Sequence, residues 1–147
     1  MSISEFQANE FVTRNNVNSR ITGINSAFSS VLKPVSIYSN SSGTQGTVTF
    51  DDGYSTSQFA YIRVFYKVED IRGDALVEAV VGNRVNLITG HIGDEYMYIN
   101  ARTVELNASS ITLVSGKNGY MRYKASGGNT AVGSDIIYIT DVVGYKY

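Results

Sequence analysis

One histidine, His91, and a scatter of carboxylates are the side chains of this 147-residue sequence that suggest acid–base or metal chemistry. Serines and aspartates abound, so a Ser-His-Asp relay can be drawn through His91. No Gly-x-Ser-x-Gly elbow exists to hold the serine. His91 lies in Gly90-His91-Ile92-Gly93, which reads as a loop, and the histidine reads as a solvated loop residue. Zinc needs several nitrogen or sulfur ligands, and one histidine without any cysteine cannot supply them. Calcium takes loop carboxylates and backbone carbonyls, and Asp51-Asp52-Gly53 is the tight acidic cluster available. It lacks alternate-residue spacing and reads as a hairpin turn. Asp70, Asp94 and Glu95 do not form a recognisable pair for glycoside hydrolysis. No glycine-rich phosphate loop precedes a helix. The expectation is a protein with no catalytic residues, no cofactor and no metal site: not an enzyme.

Charge excludes a further class of partner. Thirteen acidic side chains against twelve basic ones leave no basic footprint for nucleic-acid phosphates. Charged residues make up 17% of the chain, below the roughly 25% of an average soluble domain. Ser, Thr, Asn and Gly take up the difference. Residues 1–19 mix Glu5, Asn9, Glu10, Arg14 and Asn15 among apolar side chains, which does not read as a secretory signal. No run approaches the roughly 20 apolar residues of a membrane span. The expectation is synthesis in the cytoplasm and no membrane partner.

The elements that would position any functional residue divide at Lys33-Pro34, beside the one proline. Residues 1–33 read as an N-terminal arm and residues 34–147 as a β-domain. In the arm, Val17, Ile21, Ile24, Phe28 and Val31 follow the a/d spacing of a heptad seam. β-Branched residues at d favour three or more strands. Gly23 and several Asn and Ser residues lower the helix propensity, so the helix needs a partner. It is an amphipathic helix lying on its own domain, a short oligomeric stem or an extended docking arm. Ser4 and Gln7 could form a capping box. Phe6, Phe11 and Val12 are large apolar residues that could dock on another protein, or pack back on the domain.

Beyond Pro34 the apolar spacing becomes that of strands. Residues 60–68 alternate cleanly, with Ala60, Ile62, Val64, Tyr66 and Val68 on one face. Further strands are expected at 45–50, 75–81, 84–89, 95–106, 111–115, 119–124 and 135–145. Asp52-Gly53, Gly82-Asn83, Gly93-Asp94 and Asn118-Gly119 punctuate them as turns. About eight or nine short strands without helical interludes predict an all-β fold, an antiparallel β-sandwich or jelly roll. Two strands are irregular. In 95–106 the apolar residues pass from Met97, Ile99 and Ala101 to Val104 and Leu106, which predicts a bulge near Arg102-Thr103. The last strand is apolar on both faces: Ile137, Ile139 and Val143 on one, Ile136, Tyr138 and Val142 on the other. Such a strand is either central and covered twice, or its second face meets a neighbouring subunit. The eleven tyrosines suit binding faces, and equally suit ordinary sheet packing.

Three stretches carry a resemblance. They are Val35-Ser36-Ile37-Tyr38-Ser39-Asn40-Ser41-Ser42-Gly43-Thr44-Gln45-Gly46-Thr47-Val48-Thr49-Phe50, Tyr61-Ile62-Arg63-Val64-Phe65-Tyr66-Lys67, and Ile137-Tyr138-Ile139-Thr140-Asp141-Val142-Val143-Gly144-Tyr145-Lys146. From Val35 onward the chain resembles the C-terminal β-domains of bacteriophage fibre and other virion appendage proteins. The resemblance implies a homotrimer on a virion, with the end of the chain close to the threefold axis. Ile136, Tyr138 and Val142 would then join Val17, Ile21, Ile24, Phe28 and Val31 as oligomer contacts. Fibres carry a long shaft, whereas about 33 residues precede this β-domain. That favours a structural head fibre or capsid decoration over a tail fibre. The alternative is a tail-fibre module for host attachment, recognising a cell-surface glycan or protein.

Overall fold

The computed structural model describes residues 14–32, 34–124, 126–128, 130–132 and 136–146. One helix, α1 (Arg14–Leu32), precedes nine strands: β1 (Pro34–Thr44), β2 (Val48–Thr49), β3 (Tyr61–Val68), β4 (Ile71–Glu78), β5 (Arg84–Ile92), β6 (Met97–Leu106), β7 (Ser110–Tyr123), β8 (Thr130–Val132) and β9 (Tyr138–Tyr145). The strands form a four-stranded sheet in the order β1-β9-β3-β4. A second, five-stranded sheet runs β2-β7-β6-β5, with β8 added beside β7. All strand pairs are antiparallel. The protein is an all-β sandwich.

Alternation explains the packing. Ile62, Val64, Tyr66 and Val68 of β3 point inward and meet Leu87, Val104, Leu106 and Ile111 from the opposite sheet. Phe50 and Phe59, outside the strands, plug the same core. Phe59 lies across Gly144, where an added Cβ would come within 2.4 Å of its ring, so a side chain there would evict the plug. None of the α1 side chains described, at 15 and 17–26, belongs to this core.

Three expectations change. The doubly apolar last strand is one inward face read through a bulge. Pairing between β3 and β9 shifts at Thr140, which has no partner between Phe65–Asp141 and Tyr66–Ile139. The inward positions therefore pass from Ile137 and Ile139 to Val142 and Gly144. Val142 is fully buried in its own core, so its apolarity needs no neighbouring subunit. β9 is central in its sheet, between β1 and β3.

The turn expected at Asn118-Gly119 is absent, and residues 111–115 and 119–124 belong to one long strand, β7. The strand is interrupted by a wide irregularity. Leu113 pairs with Val104 and Asn118 with Arg102, so four residues of β7 oppose Thr103 alone. Gly116 takes a φ of +68° within that excursion.

β6 itself keeps one inward face. Asn100, Arg102, Val104 and Leu106 all point inward, while Met97, Ile99 and Ala101 stay outside. The expected change of apolar face does not occur. Two polar residues occupy core positions, and the bulge near residue 103 lies on the partner strand.

Two polar ties cross between the sheets. The Tyr66 hydroxyl donates to the Ile88 carbonyl at 2.8 Å and accepts from the Ile88 amide at 2.9 Å. Ile88 lies on β5, the outermost strand of its sheet, so one side chain satisfies backbone groups that the ladder leaves open. Its ring occupies the space above Gly73, directly opposite on β4, where a Cβ would approach within 2.7 Å. Burial pushes the Tyr66 phenol above its ordinary value; the Ile88 hydrogen bond opposes that shift and the Asp74 charge adds to it.

A raised phenol pKa means that the folded state holds its proton longer than the unfolded chain. The contribution is intact below the ordinary tyrosine value near 10 and is lost as pH rises through the folded-state value. Tyr66→Phe should cost about 1–3 kcal/mol at neutral pH by stranding the Ile88 groups. It should also flatten the alkaline loss of stability. Urea unfolding from pH 7 to 11 checks both, and equal midpoints at neutral pH would remove the tie from the account.

Candidate functional site

The residues of chemical interest in the sequence do not converge. His91 is in strand β5, not in a loop, because pairing continues through Gly90–Ile99, His91–Tyr98 and Ile92–Met97. Its imidazole stacks on Tyr98, with centroids 4.7 Å apart and planes 10° apart. Tyr96 tilts against Tyr98 at 6.1 Å and carries the Arg122 guanidinium and the Lys124 ammonium over its ring. Lys124 also pairs with Glu95 at 3.1 Å. This row crosses β5, β6 and β7, and the rings face one another and the cations.

Asp51 and Asp52 are exposed in a turn closed by the Tyr54 amide on the Asp51 carbonyl, with Gly53 at a φ of +87°. Asp70 lies in the β3–β4 turn, and Asp94 in the β5–β6 connection. Among the described residues, no three His, Asp or Glu side chains gather where they could hold a metal ion. No helix among them is long and apolar enough to cross a membrane.

Arg102 is the charged residue at the centre of the molecule, 2% exposed. Its Nη1 donates to the Ile137 carbonyl at 2.6 Å and its Nη2 to the Gln45 carbonyl. Those carbonyls lie just before β9 and just after β1, so one guanidinium from the five-stranded sheet holds two segments of the other. The neighbouring inward residue, Asn100, donates to Thr89 Oγ1 at 3.2 Å. Both polar core positions of β6 are thus structural.

The outer face of the same strands has the clearest character of a binding surface. Along the β5–β6 ladder, successive outward pairs are Arg84–Glu105, Asn86–Thr103, Ile88–Ala101, Gly90–Ile99 and Ile92–Met97. The first is an ion pair at 2.7 Å and the second a hydrogen bond at 2.8 Å. The last three are apolar and open. Ile92 is 86% exposed, Ile88 55%, Met97 44% and Ile99 36%. They border a shallow groove of about 390 Å³ floored by Gly90. Sequence reading missed this patch because it gave Met97 and Ile99 to the core. The signal that could have found it is the buried partner face, Asn100 and Arg102, which forces their neighbours outward.

The proposed oligomer contacts divide. Val17 and Ile24 of α1 are half-buried, and Ile21 is 49% exposed. Phe28 and Val31 fall within α1, with side chains outside the described part. Ile136 packs against the core beside the buried Val142. Tyr138 points outward, half-buried, next to Gly43. Phe6, Phe11 and Val12, the expected docking residues, lie outside the described residues.

Arg102→Met keeps the volume but removes both donors. Two stranded carbonyls cost about 1–3 kcal/mol each, offset in part because no charge is then buried. A net loss of about 2 kcal/mol is expected in urea unfolding. Arg102→Lys, which lacks the fork that spans both acceptors, should lose at least as much. Unchanged midpoints in both variants would show that the guanidinium does not hold the sheets.

Comparisons with protein-family models, with curated proteins and with solved structures gave no match to this chain.

Proposed function

We propose that this chain is a non-enzymatic structural protein of a phage particle, a short trimeric appendage of head-fibre or capsid-decoration type. Residues 1–33 anchor and trimerise it, and the β-sandwich projects from the particle surface. The observation that carries the reading is that the described heptad positions of α1 stay outside the sandwich core. Ile21 is half exposed, Val17 and Ile24 are half-buried, and none of the α1 side chains described at 15 and 17–26 enters the core cluster. A helix this rich in Asn, Ser and Gly gains too little from propensity to persist alone, so a partner helix is the natural completion. The likeness to virion appendage domains in the three stretches from Val35 onward supplies the setting.

The second reading, a tail-fibre module for a host glycan or protein, draws support from Tyr61. Its ring is half exposed on the outer face of β3, beside Arg63 and Phe65. The two readings differ in where the protein sits.

Antibody against the sandwich, applied to intact particles and imaged, is expected to mark the head. Light scattering of the purified chain is expected to give the mass of three copies. Label at the tail would favour the host-attachment reading. A monomeric mass in solution and on the particle would end the trimer, and no label on any particle would end the virion assignment.

A further inference from the structure

The outer face of β5 and β6 carries four large apolar side chains at the end of the sheet far from Arg84 and Glu105. Together they leave roughly 400 Å² of apolar surface open, within the roughly 300–600 Å² of the largest patch on a typical monomer, which is often functional. It is about half of the 800 Å² that each partner contributes to a standard interface. No charged side chain interrupts the Ile88–Ala101, Gly90–Ile99 and Ile92–Met97 pairs.

Charge selects the occupant. Among the described residues, the other exposed large apolar side chains are Ile21 on α1 and Tyr61, Leu76, Val80 and Val81 in the sandwich. Tyr61 and Leu76 share their face with Arg63, Asp74 and Glu78, the first two joined as an ion pair at 2.7 Å. Covering Ile92 and Ile99 with that surface would desolvate charges against hydrocarbon. The same patch on another copy carries no such penalty, and identical patches meet where they lie at a rotation axis.

Position adds a second argument. Pro34, where the chain leaves the α1 region, pairs with Tyr145, which also pairs with Tyr61. The 79–83 connection leads from that end into β5, so Ile92 lies at the opposite end of the sandwich. A stem at α1 clamps one end of an oligomer and leaves the other free to splay.

We propose that the Ile88, Ile92, Met97 and Ile99 face is an interface with a second copy of this chain, packing against its own symmetry mates around the oligomer axis. This deepens the appendage reading and rests on it for the number of copies.

The chain has no cysteine, so a single introduced thiol reports one contact without background. Ile92→Cys and Ile99→Cys should form disulfide-linked pairs under mild oxidation, and Leu76→Cys should not. Ile92→Lys places a charge in the patch at a position already open to water, so the fold should persist by circular dichroism. Its association should weaken about 30-fold or more, as for loss of an interface hot spot. An oligomer that tolerates Ile92→Lys and links through neither patch cysteine would overturn the interface while leaving an α1-stemmed appendage standing. Monomeric wild-type protein at all concentrations would also overturn it. Patch-linked copies from a protein that labels no particle would uphold the interface and reject the virion role.

Discussion

The sandwich depends on how a guanidinium is held where a hydrocarbon would be expected. Arg102 projects from β6 into the core and donates to carbonyls at the ends of two neighbouring strands of the facing sheet. Burying such a group is costly unless its donors are used, and replacing it by hydrocarbon leaves carbonyls that also need partners. The acceptors follow from the chain's path. Gln45 and Ile137 lie outside regular pairing, at the ends of strands that are neighbours in the opposite sheet. Their carbonyls have no ladder to satisfy them, and the arginine takes that role. Tyr66 does the same in the other direction, from the four-stranded sheet to the edge of β5. The two sheets are joined by apolar contact and fixed in register by these polar ties.

Glycine placement completes the arrangement. Gly73 leaves room for the Tyr66 ring and Gly144 for Phe59. In both cases a strand interior gives up a side chain so that an aromatic ring from elsewhere can cover the backbone. The Val-Val-Gly-Tyr ending of the sequence therefore has a packing reason: its glycine seats the plug at the end of the core.

The fold class was legible in the sequence because alternation and turn residues are local signals. Strand β3 is the best example: Ile62, Val64, Tyr66 and Val68 could be assigned inward from period alone. The failures of face assignment share one cause. A bulge changes parity, and parity cannot be followed through a bulge without knowing the partner strand. Thr140 made one inward face look like two in β9. In β6 the opposite error arose, because a regular strand with Asn100 and Arg102 inside was read as irregular to keep Met97 and Ile99 buried. Gly90 and Gly93 flank His91 and suggest a loop, yet Gly90 sits within the ladder. Heptad spacing singles out Ile21 as a contact candidate, whereas the patch around Ile92 depends on the β5–β6 pairings of the folded sheet.

The β6 strand inverts the usual partition over half its length, and under the proposed interface that inversion links stability to association. Polar Asn100 and Arg102 point inward where they are hydrogen-bonded, and apolar Met97 and Ile99 point outward where no described residue covers them. Exchanging the two sets would satisfy a solitary sandwich better, since hydrocarbon would fill the core and amides would meet water. The inward set is retained by its cross-sheet bonds, so strand geometry obliges the alternate residues to face out. Those residues are not obliged to be apolar: Thr103 and Glu105 on the same face are polar and paired. The change from charged to polar to apolar along one ladder is therefore a property of the surface itself and does not follow from the core. A face graded in this way distinguishes one end of the sandwich from the other. In an assembly of identical copies it favours the single alignment in which hydrocarbon meets hydrocarbon and each ion pair stays wet.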